Sequence, residues 1–493
     1  MNNTVAKVNW NFCFAFVSTF CSLYYATHIT IDYENKLIVP YQVQSLSLST
    51  LDGFDDGQPV IQCMLDFESF MFPRIIEWYE ARLPIPFSVK IIDNQFYVLI
   101  LTTHIPEERP RYQHAEMFSC NGIQATEAFK EGTKDKNYYN HFLIIQCPSV
   151  IHPSNSTLTT VSITPQNPNT LKEKTKNSTT KRQTISYDVE KLDECERKDI
   201  THFSQRRGAN IKIGATTSIK KSNISHVLQW AEYHHLIGVD HMWIYVNEPF
   251  NQSGVAFPKR KYISWIPYNL NIYNYKFPRL GASIQYSEIF RIAAQTDAIW
   301  RARRMGMRWI AMNDIDEYIA VAPSPGTRII NTNATETIKP IGSLSRYLAK
   351  LETTNPLIRS VGGIEMNSIP FGCNMQKNKR NQFVCNKNET KDILIDYVSH
   401  SLADHSSYPL NRMKMLVNPK KVTTYNIHYI GGSSERLSRN EIRFKSPADE
   451  LRINHYKQAY KGVFGWKRTQ PLQNDSYLMD NYHDLLVERI SVL

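Results

Sequence analysis

The residues of this 493-residue chain best suited to chemistry are Asp314-Ile315-Asp316-Glu317, which follow abruptly on the apolar run Trp309-Ile310-Ala311-Met312. A run of that kind without alternation reads as a strand buried on both faces, as in a parallel sheet covered by helices. Unpaired carboxylates are too costly to keep in such a core, so the strand must emerge just before Asp314. The carboxyl ends of strands are where open α/β sheets bind ligands. Two aspartates one residue apart on a turn can both direct oxygens at one hard cation, and that cation can hold a diphosphate. The pattern therefore implies a metal-assisted nucleotide-sugar site. The same residues also fit a solvated turn or a helix N-terminus.

The elements that must position this loop begin at Ile211. Ile211–Ala215 reads as a short strand. Ser225 is the expected N-cap of a helix Val227–Leu236 stopped by Gly238. Strands Met242–Val246 and Tyr262–Ile266 follow, with a turn at Asn247-Glu248-Pro249 between them. A long helix Ser283–Arg304 closes at Gly306 and leads directly into the Trp309 strand. Strand–helix–strand–strand–helix–strand is the grammar of a nucleotide-binding α/β sheet.

Upstream, residues 40–150 read as mainly short strands. Phe87–Ile92 and Phe96–Leu101 form an expected hairpin, and His141–Ile145 a further strand. Residues 151–185 are rich in Ser, Thr, Asn, Pro and Lys and read as a linker. At the N-terminus Lys7 precedes the apolar segment Val8–Ala26, about long enough to cross a bilayer, with Asp32 and Glu34 after it. This charge order places residues 1–7 in the cytosol and the body across the membrane. Tyr24, Tyr25 and the lack of a small-x-small site favour a signal-anchor, with a cleaved signal peptide as the alternative. The expected location is a Golgi or ER membrane, single-pass type II, with a lumenal body.

Other features agree with a lumenal body. Sequons lie at Asn155, Asn177, Asn223, Asn251, Asn333, Asn388 and Asn474. Cys63, Cys120, Cys147, Cys195, Cys373 and Cys385 are compatible with disulfides in an oxidising compartment. Cys373 and Cys385 bracket a polar stretch and are the expected hairpin staple. No C-x-x-C spacing suggests zinc. The apolar share, 42%, is that of a globular chain, and the net charge of +11 fits anionic partners. Nothing concentrates that charge as a nucleic-acid reader needs, so nucleic acid is not an expected partner.

The string Lys221…Gln229-Trp230…Tyr233-His234…Gly238-Val239-Asp240-His241…Ile244-Tyr245 resembles the opening signature of glycosyltransferase family 92. The resemblance continues through Trp309…Asp314-Ile315-Asp316-Glu317-Tyr318, Phe371-Gly372, Lys414…Pro419, Ile427-His428 and Asn454-His455-Tyr456, covering about residues 205–470 in order. It implies a GT-A-type fold, a Rossmann-like sheet, here preceded by the smaller β-rich region. It implies an inverting, metal-dependent transfer, with galactose from UDP-galactose as the expected donor sugar, to a glycan acceptor in the secretory pathway.

On that resemblance Asp316 is the direct ligand of Mn²⁺ or Mg²⁺, and Asp314 contacts the metal or the ribose. His455 is the expected third metal ligand, with His428 as the second choice; an imidazole favours Mn²⁺. Lys221 can meet phosphate as a point charge, and Asn247 can meet base or ribose. The general base is open between Glu317, Glu365 (on an expected strand Ser360–Glu365) and Asp404. The sequence departs from the family pattern at Gln229, at Ser222-Asn223 and before Phe371-Gly372, where a tryptophan is missing. Those departures keep a catalytically silent, glycan-binding relative as the alternative. A calcium-binding adhesion protein fits less well, because the loop lacks EF-hand cadence.

Overall fold

The computed structural model describes residues 85–92, 95–104, 115–135, 138–147, 160–165, 185–188, 211–219, 222–246, 258, 260–267, 287–321, 341–371, 375–377, 383–385, 393–396, 399–401, 413–426, 428–433, 443–456, 472–474 and 477–491. The apolar segment 8–26, Lys221, Asn247, Cys373 and Asp404 lie outside them. Among the described residues no helix is long and apolar enough to cross a membrane.

The fold is mixed α/β. Along the chain come β1 (Ile213–Ile219), α1 (Ile224–Leu236), β2 (His241–Val246), β3 (Ile263–Pro267), α2 (Ser287–Arg304), β4 (Trp309–Met312) and β5 (Glu317–Val321). There follow α3 (Ser343–Thr354), β6 (Gly363–Pro370), β7 (Lys414–Val417), β8 (Val422–Asn426), β9 (Tyr429–Ser433), β10 (Arg443–Lys445), β11 (Leu451–His455) and α4 (Tyr477–Ser491). The main sheet runs β3-β2-β1-β4-β7-β6-β11-β5, with β10 on β6. The first four strands are parallel. β7 is antiparallel to both β4 and β6, β11 runs parallel to β6, and β5 runs antiparallel to β11. Thus the Trp309 run and the acidic loop join two strands that lie far apart in the sheet, and the sheet curls to accommodate them.

Side chains from α1 (Val227, Trp230, Leu236), α3 (Leu344, Leu348) and α4 (Leu478, Leu486) share one core with Ile213, Ile244, Trp309 and Ala311 of the parallel strands. Each large side chain buried this way contributes about 1.5–3 kcal/mol. The α1 cap is Asn223 and not Ser225: the Asn223 side chain accepts from the Ser225 amide at 2.9 Å. Both residue types cap helices, and the helix starts one turn earlier than the apolar pattern suggests. β6 likewise begins at Gly363 and not Ser360, because Pro356–Arg359 form a 3₁₀ turn and Ser360–Gly362 continue as turn and bend.

The Gly238-Val239-Asp240-His241 motif serves the fold. Gly238 ends α1 with φ +108°, and the Asp240 carboxylate accepts from the Ile213 amide at 2.8 Å, fixing the start of β1. A Cβ on Gly238 would lie 2.3 Å from Ser345 Oγ. Gly238→Ala is therefore expected to lower stability by about 1–3 kcal/mol, read as a shifted denaturant midpoint.

Upstream, Ile85–Ile92, Gln95–His104, Tyr138–Cys147 and Thr126–Asp135 form an antiparallel sheet in that order, including the expected hairpin. A second small sheet contains Ile123–Gln124, Phe118–Cys120, Thr160–Pro165 and Ile185–Asp188. A disulfide, Cys120–Cys147, ties the two sheets together. The stretch read as a linker thus contains a strand, Thr160–Pro165. Its Ile163 is fully buried, and one such apolar position among Ser and Thr suffices for a strand that two neighbours flank. Tyr97 packs against Trp300 of α2, their ring centroids 6.3 Å apart.

Candidate active site

β4 ends in the interior, and the acidic loop does not emerge from it as the sequence suggests: Asp316 and Glu317 are buried, their charges offset by cationic neighbours, and only Asp314 is part-exposed. The Asn313 amide still donates to Thr216 of β1, at 3.3 Å, and Ile315-Asp316 form the turn. Glu317 then starts β5, opposite His455 at the end of β11. This register brings together residues 140 or so positions apart in the chain. His455 Nε2 lies 3.5 Å from Asp316 Oδ2, and His455 Nδ1 lies 3.9 Å from Glu317 Oε1. Tyr456 braces the turn by donating its amide to the Asp316 carbonyl at 2.7 Å.

Two cations that sequence reasoning gave no role complete the site. Lys414, the first residue of β7, is fully buried, with Nζ 3.2 Å from Asp314 Oδ2 and 3.3 Å from Glu317 Oε2. Arg291, on α2, pairs with Asp314 Oδ1. Glu317 Oε2 also accepts from the Asp314 amide at 2.8 Å. Lys414 and Glu317 therefore clamp the loop from inside. In sequence Lys414 is marked by a charge inside the apolar run Met413–Val417 and by its place in the family resemblance, neither of which assigns it a role.

The electrostatics follow from burial set against pairing. Burial pushes the Asp314 carboxyl up, but Lys414 and Arg291 outweigh it and hold this group well below the ordinary carboxylate range. Burial raises the Glu317 carboxyl, and the pull of Lys414 does not cancel the rise. For Lys414, burial favours the neutral amine, yet Asp314 and Glu317 keep it charged. Burial lowers His455 too, but its bond to Asp316 and the Glu317 charge bring it above the ordinary histidine value. His428 is lowered to about 4 by burial and then by the Lys414 charge. Its Nδ1 bonds the Met413 carbonyl at 3.1 Å.

Of the residues singled out by sequence, Asp314, Asp316, Glu317 and His455 come together. Glu365 lies on β6, in register with Met415 next to Lys414, and makes a 2.8 Å ion pair with Arg443. Glu317 is buried and committed to the clamp.

Among the described residues no group of three His, Cys, Asp or Glu side chains forms a ready metal cage. The donor chemistry nevertheless fits a divalent cation. Two ligand atoms about 2.0–2.2 Å from one ion lie about 3.0–3.5 Å apart, which matches Asp316 Oδ2 and His455 Nε2. Asp314 has both oxygens engaged by cations, Oδ1 by Arg291 and Oδ2 by Lys414. Next to the loop, Asn313 is fully buried, and among the described residues neither side-chain polar atom has a hydrogen-bond partner.

No curated protein matches the sequence. The loop, Arg291, Lys414 and His455 all fall within residues 271–490, a stretch that is similar to the profile of Glycosyltransferase family 92.

Proposed function

We propose that the chain is a GT-A-type, metal-dependent inverting glycosyltransferase that moves a sugar from a nucleotide donor, UDP-galactose on the family resemblance, to a glycan acceptor. The order of parallel β3-β2-β1-β4 followed by antiparallel β7 supports the GT-A reading. The observation that carries the proposal is the meeting of Asp316 and His455 at the mouth of the parallel strands. Asp316 and His455 would hold Mn²⁺ or Mg²⁺, with Asp314 joining them. When bound, the cation would stabilise charge developing on the departing diphosphate as a Lewis acid. Lys414 and Glu317 keep the loop in shape between turnovers. The Cys120–Cys147 disulfide supports a secretory-pathway location.

The test is titration of UDP into the purified chain with and without Mn²⁺, beside Asp316→Ala. Manganese-dependent binding is expected in the wild type. In the variant it should fall by about a hundredfold or more, the loss of a charged ligand worth about 3 kcal/mol. Binding of UDP that ignores both Mn²⁺ and the substitution would overturn the metal-site reading.

A further inference from the structure

Asp314 carries two cations of different character. Lys414 is fully buried and has a second carboxylate, Glu317, to hold it in place. The Arg291 side chain is 31% exposed, and so is about a third of Asp314 itself. It rises from the second turn of α2 to the acidic loop, where the charges of Asp314, Glu317 and Asp316 all act on it. One cation is thus locked into the fold, while the other stands at its surface.

The charge balance says what the second one is for. Without a donor, Asp314 and Glu317 face Lys414, Arg291 pairs with Asp314, and His455 stands against Asp316 and Glu317. A divalent cation entering with a nucleoside diphosphate brings both positive and negative charge. Arg291 could not keep its place on Asp314 while that carboxylate turned to the cation. A guanidinium released there has an obvious new anion, because its planar fork matches phosphate oxygens in a two-point contact.

Resting on the metal-site reading above, we propose that Arg291 is a ligand of the donor diphosphate, held in reserve on Asp314 while the donor is absent. On donor binding it trades one carboxylate oxygen for phosphate oxygens. Its charge stays paired throughout, and Asp314 Oδ1 becomes free for the cation. In the donor-free protein Arg291 competes with metal for Asp314, so the site favours cation and nucleotide together over cation alone.

The two halves of this exchange have opposite signs in a substitution, which makes them testable. Mn²⁺ alone, and UDP in saturating Mn²⁺, are titrated by calorimetry into the purified wild-type chain, Arg291→Gln and Arg291→Lys. Arg291→Gln is expected to weaken UDP by about ten- to a hundredfold, the worth of charge-assisted hydrogen bonds, while Mn²⁺ alone binds more tightly. Arg291→Lys, which keeps the charge and loses the fork, should move both affinities in the same directions by less. It also serves as the informative variant if the glutamine form does not fold. UDP affinity that does not fall, or Mn²⁺ affinity that does not rise, overturns the proposal. If Arg291 only braced the loop, both would weaken together. Should the wild type itself show no Mn²⁺-dependent UDP binding, the metal-site reading fails and takes this inference with it. A wild type that binds beside an Arg291→Gln variant that binds equally well removes the inference alone.

Discussion

Lys414→Met is expected to destabilise the protein by about 3–5 kcal/mol, the usual cost of removing one partner from a buried ion pair. For a folded unit of this size, that corresponds to a fall in melting midpoint on the order of 10 °C. Methionine is close to lysine in length and fills the same volume, so the loss reports on charge and not on a cavity. What is left behind is the reason for the magnitude: Glu317, 2% exposed, loses its nearest cation and keeps only the longer contact to His455, 3.9 Å away. Adding Glu317→Gln to Lys414→Met should restore a large part of the stability, and the deviation from additivity measures the clamp directly. The pH dependence has a defined sign. Burial already raises Glu317 above its ordinary value of 4.5, and Lys414 is what pulls it back. Without the lysine, the folded-state value rises further above the unfolded one. Between those two values the folded chain binds the proton that the unfolded chain lacks, so stability increases as pH falls through that window. The deficit of Lys414→Met should therefore be greatest at neutral pH and shrink toward acid. Asp314, held well below the ordinary range, titrates lower and stays out of this window. A deficit under about 1 kcal/mol that ignores pH would show that the ammonium does not carry the loop.

The same residue marks where the sequence stopped being readable. Asp314, Asp316 and Glu317 were visible because three acids break an apolar run, a local signal that needs no partner. His455 was visible only through the family resemblance, and the register of β5 on β11 brings it to Asp316. Lys414 lies 100 positions from Asp314. The family resemblance includes Lys414 but gives it no role, and nothing local distinguishes a lysine that ends an edge from one buried among Met413, Met415, Leu416 and Val417. Arg291 was hidden for the opposite reason: α2 is rich in charge, with Arg301, Arg303 and Arg304 in its last turn, so one more arginine reads as a solvated face. The parallel half of the sheet was legible from its periodicity, strand by strand. The antiparallel half was not, because the partners of β5, β6 and β7 are chosen by long-range pairing. Within the stretch read as a linker, Ser and Thr conceal a strand at Thr160–Pro165 with its buried Ile163.

The double variant Trp230→Phe/Tyr233→Phe is expected to cost about 3–6 kcal/mol, a sum of two buried carbonyls left without donors and the space lost with the indole. Among the described residues β5 ends the main sheet, so one row of its backbone groups meets no neighbouring strand there. Alternate residues of a strand turn their carbonyls to the same edge, and α1 supplies donors for two of them. Trp230 Nε1 donates to the Glu317 carbonyl at 3.1 Å, and Tyr233 Oη donates to the Ile319 carbonyl at 2.7 Å. A spacing of three on the helix thus meets a spacing of two on the strand. Both aromatic side chains are fully buried, so water cannot replace either bond. Tyr233→Phe changes little but the hydroxyl and should cost about 1–3 kcal/mol; Trp230→Phe also leaves a void and should cost more. The two single variants separate fold from site. Glu317 is the residue whose side chain holds the Asp314 amide and Lys414, so loosening its carbonyl releases the acidic loop. Ile319 lies two residues further along the strand and holds no part of that loop. Trp230→Phe should accordingly weaken Mn²⁺-dependent UDP binding at temperatures where the protein remains folded, whereas Tyr233→Phe should leave it near the wild-type value. Equal effects of the two on binding would mean that the strand moves as one rigid piece, and that the loop takes its shape from Lys414 and Glu317 without help from α1.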